Sequence, residues 1–389
     1  MFLTTIVFIA ILGVLVLAHE FGHFIIARKM GVKVDEFAIG FPPRIFGIYK
    51  NRAGKWIKVF GNKKVEDVPT TLYALHLIPL GGFCKIKGED GEKSVDEDSF
   101  VNKKIWQKSS ILVAGVTMNF LLCAILFSIG FMIGLPQAVD SSAHKVLSVK
   151  NTEVQIISIA ENSPAQKNDI KFGDVILSVN GNKVNSAKQA SEFISKNGSK
   201  EIILKIKRNN QEMEKKIIPK KINDSEKAKI GVAMVDEGIV SYPFLKSIYM
   251  GFATTIKLTK TITVTFYNII IDWATGKKID TDVAGPVGIA VLTGQMVNMG
   301  FIYVLEFAAL LSLNLAIINI LPIPALDGGR LLFLAFEKIR GRAMSIKLEN
   351  TLNNTGFTFL ILLVILVTVR DFARLDFFAG LWGKISGLF

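Results

Sequence analysis

The chain has 389 residues, 50% of them hydrophobic, and a mean hydropathy of +0.41. Soluble enzymes are less apolar than this, so the composition favours a polytopic membrane protein. The formal net charge is +13, but the basic residues are scattered and no aromatic reading surface lies among them. We therefore expect no nucleic-acid partner and take the lipid bilayer as the anionic neighbour.

Four segments are long and apolar enough to cross the hydrocarbon core, which takes about 20 apolar residues. They are residues 2–27, 110–135, 301–321 and 356–369, the last of them short. The first lacks the features of a cleaved signal peptide, so it is expected to stay in the mature protein. Residues 244–271 carry three lysines and fit an amphipathic surface helix better than the alternative, a fifth span.

Lysine and arginine are dense in residues 28–108 and again in residues 330–347. The positive-inside rule places both loops in the cytoplasm. The long polar stretch between the second and third spans then lies outside, because long domains are translocated largely regardless of charge. The two cysteines, Cys84 and Cys123, fall in the first loop and in a span. No disulfide framework is expected.

Residues 72–88 contain an apolar, β-type stretch that breaks at Gly81 and Gly82 and then resumes. This pattern predicts a β-hairpin. Its apolar character suggests that it dips toward the bilayer, which non-helical backbone can do only when it packs against protein or lines a water-filled cavity. An ordinary cytosolic hairpin is the alternative.

Between residues 146 and 235 the pattern changes to short strands separated by turns, with helical spacing at 188–196. Ser-Pro-Ala at 163–165, Gly-Asp at 173–174 and Val-Asn-Gly at 179–181 resemble the core of PDZ domains. Such domains bind an extended peptide as an added strand. A single inserted PDZ domain is therefore expected, which binds a peptide or protein or else only shields the membrane site.

The first span ends with His19, Glu20 and His23 in the arrangement His-Glu-x-x-His. Residues four apart share a helix face, so both imidazoles can hold one metal while Glu20 acts as a general base on water. The alternative is polar packing between helices without a metal. Ionisable groups within a span are costly without a partner or a task, which favours the metal site.

A catalytic zinc takes three protein ligands and leaves one position open. The other two histidines, His76 and His144, lie in distant segments. Asp327, just after the third span, is the better candidate, although a turn aspartate before two glycines is an equal alternative. Pro322 and Pro324 are expected to end the third helix before it.

His-Glu-Phe-Gly-His at 19–23, paired with Asn-Ile-Leu-Pro-Ile-Pro-Ala-Leu-Asp-Gly-Gly at 319–329, resembles the site-2 protease family of intramembrane zinc metalloproteases, in particular its bacterial RseP-type members. The likeness extends to residues 79–82, which look like the family's membrane-associated β-hairpin loop, and to 285–289. Two departures bear on substrate choice: some relatives have tandem PDZ domains, and segment 40–43 has a proline where a glycine is expected.

The resemblance implies one zinc per chain held by His19, His23 and Asp327, with Glu20 activating the water. It also implies residues that bind an unwound substrate. These are Asn319, Asn314, Pro322, Gly81 and Gly82. For the two asparagines, interhelical hydrogen bonding is the alternative.

The sequence thus predicts a polytopic α-helical membrane protein with about four spans, an inserted mainly-β PDZ domain and a membrane-associated hairpin. The expected divisions are the spans at 1–28, 109–136, 300–330 and 355–376, cytoplasmic loops at 29–108 and 331–354, the hairpin at 72–88, the PDZ domain at 146–235, and an amphipathic surface region at 242–298.

The expected activity is that of a zinc metalloendopeptidase in the bacterial inner membrane, with its active site near the cytoplasmic face. Its substrates would be single-span membrane proteins, such as anti-sigma factors or remnant signal peptides, cut within or near their transmembrane segments. One rival function is a non-catalytic membrane scaffold whose PDZ domain binds protein tails. Another is a transporter in which the motif is incidental. The complete set of site residues argues against the scaffold.

Overall fold

The computed structural model describes residues 2–63, 65, 68–89, 96–138, 149–160, 162–198, 200–208, 211–221, 228–277, 284–342 and 344–374. Within these ranges 4 helices are long and apolar enough to cross a membrane, as predicted. They are Phe2–Lys29, Ile105–Ile133, Phe301–Ile320 and Ile346–Ala373. Residues 375–376, the end of the predicted fourth span, lie outside the described residues. The predicted fold class is confirmed.

The helices in chain order are α1 (Phe2–Lys29), α2 (Ile105–Ile133), α3 (Pro164–Lys167), α4 (Ala187–Lys196), α5 (Phe244–Ala274), α6 (Pro286–Met299), α7 (Phe301–Ile320), α8 (Asp327–Arg340) and α9 (Ile346–Arg374). The strands are β1 (Val34–Lys50), β2 (Trp56–Phe60), β3 (Leu72–Ile86), β4 (Leu135–Ala138), β5 (Val149–Ile159), β6 (Val175–Val179), β7 (Asn182–Lys183), β8 (Ile202–Arg208), β9 (Gln211–Ile217), β10 (Lys220–Lys221), β11 (Ala228–Lys229) and β12 (Val232–Val240).

The chain forms two compact units. One contains the described residues within 1–126, 253–293 and 308–389, and the other contains those within 127–252 and 294–307. We call them the membrane unit and the β unit.

A sheet in the order β2-β1-β3 lies in the membrane unit. Ala38 of β1 pairs with both Ala74 and Phe83, so the first part of β1 lies between the two halves of β3. The predicted hairpin within 72–88 is therefore wrong in form: among the pairings that the structure describes, the halves of β3 do not pair with each other. Gly82 explains this, because a Cβ there would lie 2.4 Å from the Ala38 carbonyl oxygen, and glycine lets β3 lie tightly across β1.

Helices α1 and α2 pack closely at Gly22, where a Cβ would lie only 2.3 Å from the carbonyl oxygen of Ala114. Small residues allow such backbone approach between membrane helices. Around this crossing, apolar side chains from α1, α2, the sheet and α8 form one buried cluster, among them Phe24, Ile111 and Leu334. The sheet and α8 are thus fixed against the two helices.

The segment predicted as a cytoplasmic loop, 331–354, contains most of α8 and the start of α9. Helix α8 is amphipathic and buries Phe333 and Leu334, which explains why a polar segment is helical here. Helix α9 has 29 residues and extends beyond the short apolar segment, 356–369, that the sequence marks as the last span. Its first turns are polar, and a search for apolar windows therefore missed them.

Helix α5 has 31 residues, but it is not one of the helices that are long and apolar enough to cross a membrane in the described part of the chain. Its position on the membrane surface stays a prediction. The glycines and the proline of residues 285–289 favour a turn over a helix or a strand. Instead α6 begins at Pro286, a residue well suited to the first helical turn. The carboxylate of Asp371 on α9 accepts hydrogen bonds from the backbone N–H groups of Gly285, at 3.2 Å, and Gly288, at 2.7 Å.

The β unit contains a sheet in the order β4-β12-β5-β6-β8-β9, with β7 paired to β6. Helix α4 covers this sheet with Ala190 and Ile194, over a core that includes Ile156, Leu204 and Ile206. The fully buried carboxylate of Asp174 is paired with the Arg208 guanidinium at 2.6 Å and 2.7 Å, so its burial is compensated. These elements match the predicted mainly-β PDZ domain and its helix, except that β4 and the end of β12 lie outside the predicted bounds of 146–235.

Candidate metal centre

His19 and His23 project from one face of α1, where both side chains are buried. Their ring centroids are 4.8 Å apart and their planes lie at 82° to each other. The two Nε2 atoms are separated by 3.2 Å. The helical spacing therefore brings two imidazole nitrogens to one point, as the sequence predicted.

Asp327 reaches the same point from the other end of the chain. Helix α7 ends at Ile320, just before the two prolines that were expected to end it, and Asp327 is the first residue of α8. The turn before α8 is tight, because a Cβ at Gly328 would lie 2.2 Å from the Ile320 carbonyl oxygen, and one at Gly329 the same distance from that of Ile323. The paired glycines thus allow α8 to fold back and present the carboxylate.

The Oδ2 atom of Asp327 lies 3.1 Å from Nε2 of His19 and 3.4 Å from Nε2 of His23. Three ligands of a tetrahedral zinc at 2.0–2.1 Å would be about 3.3 Å from one another. Oδ2 is buried and has no hydrogen-bond partner among the described residues. Spacing, donor types and the unpartnered oxygen all fit a zinc ion.

Helix α2 forms the other wall of the site. Nδ1 of His23 donates to the carbonyl oxygen of Ile111 at 2.9 Å, and a carbonyl can only accept. The proton of His23 is therefore on Nδ1, which leaves Nε2 free as a ligand. One turn along α2, a Cβ at Gly115 would lie 2.4 Å from Nε2 of His23 and 2.7 Å from Cε1 of His19. Glycine is required at this position to leave space for the imidazoles.

Glu20 is held by the sheet. Its Oε2 accepts a hydrogen bond from the backbone N–H of Cys84 on β3 at 3.0 Å. Cys84 pairs with Phe37 of β1 on its other side, so this N–H points away from the sheet toward α1. A carboxylate that accepts a single backbone hydrogen bond keeps lone pairs available for the proton of a water molecule.

The remaining predicted residues are at different places. The amide nitrogen of Asn319 is 3.5 Å from Nε2 of His19, at the site. Gly81 packs on α1, where a Cβ would lie 3.1 Å from Cγ1 of Val16. Pro322 is exposed in the connection between α7 and α8, and Asn314 is half-buried on α7. Substrate contacts of these residues stay predictions.

Sequence reasoning missed three parts of the site: the space at Gly115, the carbonyl of Ile111 and the N–H of Cys84. Only the first had a usable signal, a glycine in an apolar span followed four residues later by the polar Asn119 on the same helix face. Backbone groups leave no trace in residue type, so the other two could not be found in this way.

The sequence profile of peptidase family M50 matches residues 7–363. The chain belongs to peptidase family M50. It is 30% identical to the regulator of sigma-W protease RasP of Bacillus subtilis over 457 residues, covering 96% of this chain and 99% of the relative. It is 29% identical to the zinc metalloprotease RasP of Bacillus licheniformis over 456 residues, with coverage of 96% and 99%. The predicted site-2 protease family is confirmed.

Part of this chain is similar to the solved PDZ domain of an SdrC-like protein from Listeria monocytogenes, with 20% identity and a TM-score of 0.21. The match covers 23% of this chain and 94% of that chain. The M50 peptidase is an intramembrane zinc metalloprotease of a bacterial membrane, as its family and relatives establish. Its cofactor is zinc, for which the donor set described above is suited.

Replacing Gly115 with alanine is expected to lower the zinc content and to reduce turnover about 100-fold, since it displaces groups that must be positioned to within 1 Å. Metal content of the purified protein, measured by mass spectrometry, tests this. Gly13→Ala on α1 is the matched control, because the nearest atom to a Cβ there is 4.0 Å away. Normal zinc and activity in Gly115→Ala would contradict the arrangement of α2 described here.

Proposed function

We propose that the chain hydrolyses peptide bonds within or near the transmembrane segments of single-span membrane proteins, with one zinc held by His19, His23 and Asp327. The observation that carries this assignment is the spacing of their donor atoms, 3.1 Å, 3.2 Å and 3.4 Å, with Glu20 next to His19 in sequence. Glu20 is the proposed general base.

The ligands and the base divide the chemistry between them. Zinc, when bound, polarises the scissile carbonyl and makes water more acidic. Glu20 takes the proton from the attacking water and passes it to the leaving amine. The Cys84 N–H directs the Glu20 carboxylate, and the proposed role of the Asn319 amide, which lies at His19, is to bond an exposed backbone group of the substrate.

A strand edge beside the base supports binding of an extended substrate. Residues 82–86 of β3 pair with β1 on one side, and on the other side Cys84 donates to Glu20. An extended peptide that adds a strand along this edge would satisfy its backbone groups inside the membrane, where unpaired groups are costly. Gly81 and Gly82, both buried, lie at the start of this edge, and we propose that the substrate strand begins to pair there.

The substrate class follows from the site and its relatives. A site within membrane helices suits peptide bonds that soluble proteases cannot reach. The relative from Bacillus subtilis is named as a regulator of sigma-W, which supports membrane-bound anti-sigma factors as one class of substrate. Remnant signal peptides, which also consist of one apolar segment, are the second class.

Glu20→Gln is expected to keep about one zinc per chain and to lose about 10²- to 10⁴-fold in cleavage of a single-span substrate in detergent, because only the base is removed. Asp327→Ala is expected to lose both zinc and cleavage, and wild type treated with a chelator is expected to do the same. Glu192→Gln, an exposed change on α4, is the control. Equal cleavage by wild type and Glu20→Gln would contradict the role of Glu20 as the base, and no cleavage by zinc-loaded wild type would favour the non-catalytic scaffold.

The PDZ domain contains a groove of about 490 Å³ between α4 and the segment that includes β11 and the start of β12. Ser191 and Ile194 of α4 form one wall, and Lys229 to Ala233 form the other. An open groove between a helix and a strand suits an extended peptide. We assign it to the free end of a substrate that an earlier cut has shortened, with shielding of the membrane site as the alternative.

Ser191→Trp is expected to fill this groove and to weaken binding of a ten-residue peptide with a free apolar carboxyl terminus at least about tenfold, since the added ring occupies the space for the peptide. Fluorescence anisotropy on the full chain measures this. Lys196→Trp, at an exposed position of α4 that does not line the groove, is the control. Identical binding by both variants would leave the domain with a shielding role only.

The proposed orientation has the PDZ domain outside and the metal centre near the cytoplasmic face, because basic residues are dense after α1 and again in residues 330–347, which include most of α8 and the start of α9. A membrane-impermeant maleimide added to spheroplasts should label Ser191→Cys at once. Ser345→Cys, which is exposed between α8 and α9, should be labelled only after permeabilisation. The reverse pattern would invert the topology.

A further inference from the structure

Asn119 is a fully buried polar residue on α2, and the proposed function gives it no role. Its amide lies behind His19, with Nδ2 at 3.4 Å from Nδ1 of that ring. Nδ1 is the ring nitrogen that faces away from Asp327, since Nε2 makes the 3.1 Å approach to the carboxylate. Asn119 therefore contacts His19 on the side opposite the metal position.

The orientation of this amide conflicts with metal binding. A hydrogen bond from Nδ2 requires an unprotonated Nδ1, which puts the proton of neutral His19 on Nε2, the atom that must bind zinc. In the same orientation Oδ1 of Asn119 is buried without a hydrogen-bond partner among the described residues. Rotation of the amide by half a turn removes the first conflict and gives Oδ1 a partner in the Nδ1–H of His19, while Nδ2 takes the position that Oδ1 has left; the two orientations have nearly the same shape.

We propose that Asn119 is the positioning residue of the metal centre: its Oδ1 accepts the Nδ1–H of His19, which fixes the ring and leaves Nε2 free for zinc. This parallels His23, whose Nδ1 donates to the Ile111 carbonyl oxygen at 2.9 Å. Metal-binding histidines generally donate their second N–H to an oxygen in this way.

The backbone of Asn119 is also fixed. Oγ of Ser312 on α7 donates to the Asn119 carbonyl oxygen at 2.8 Å, and both groups are buried. Asn119 is thus held between α1, which carries His19, and α7, which carries Asn319. A residue held from both sides can keep the His19 ring in one orientation.

The test uses the full chain in detergent and compares wild type with Asn119→Leu and Asn119→Asp. Leucine has a similar size and no hydrogen-bond acceptor. The zinc affinity of Asn119→Leu, measured by chelator competition, should therefore fall about 10- to 100-fold. Aspartate retains an oxygen acceptor and should stay within about threefold of wild type. Thr117→Val, which removes a hydrogen bond within α2, is the control and should not change zinc affinity.

Equal loss of zinc in Asn119→Asp and Asn119→Leu would overturn the proposal, and so would wild-type affinity in Asn119→Leu. If either variant does not fold, the ¹⁵N signals of the histidines in the zinc-bound wild type decide: a proton on Nδ1 of His19 supports the proposal, and its absence overturns it. Because the role depends on ligation by His19, His19→Ala is measured in parallel. Full zinc binding by His19→Ala would refute His19 as a zinc ligand. The Asn119 variants test only the positioning role, so the two failures can be told apart.

Discussion

The burial of one carboxylate beside two imidazoles within a bundle of membrane helices is the constraint on which the rest of the structure depends. The side chains of His19 and Asp327 are only 10% and 17% exposed. A buried carboxylate without a compensating partner is strongly disfavoured, and a divalent cation bound to all three groups removes that penalty. The three donors come from segments about 300 residues apart in the chain, so the scaffold must hold their backbones rigidly in place.

Glycine contributes to that rigidity by allowing backbones to approach closely. At Gly22, Gly115, Gly328 and Gly329, an added Cβ would lie between 2.2 Å and 2.4 Å from a carbonyl oxygen or from a ligand nitrogen. Between membrane helices the lipid supplies no hydrophobic driving force, and close van der Waals contact becomes the main source of stability. The same glycines therefore stabilise the bundle and shape the space for the imidazoles, which couples packing to metal binding.

The sequence predicted the parts of the molecule that depend on local pattern. The spans follow from apolar length, the pairing of His19 with His23 from helical spacing, and the end of α7 from its prolines. The sheet was predicted wrongly, because a glycine pair suggests a turn while the pairing of β3 with both sides of β1 depends on contacts distant in sequence. Asn119 was missed for a similar reason: the ring of His19 reaches it across 100 residues of chain.

The position of the sheet against α1 answers a difficulty specific to proteolysis in a membrane. A helical substrate keeps its carbonyl groups in its own hydrogen bonds, and it must give them up before a peptide bond can be attacked. A strand edge offers replacement hydrogen bonds. They help the reaction only if the edge lies next to the proposed base, Glu20. The Cys84 N–H meets this requirement, because it belongs to the edge of β3 and at the same time fixes Glu20. In the proposed mechanism, then, the substrate helix is unwound at the same place where the attacking water is activated. A sheet held elsewhere on the bundle could unwind the substrate but could not orient the base.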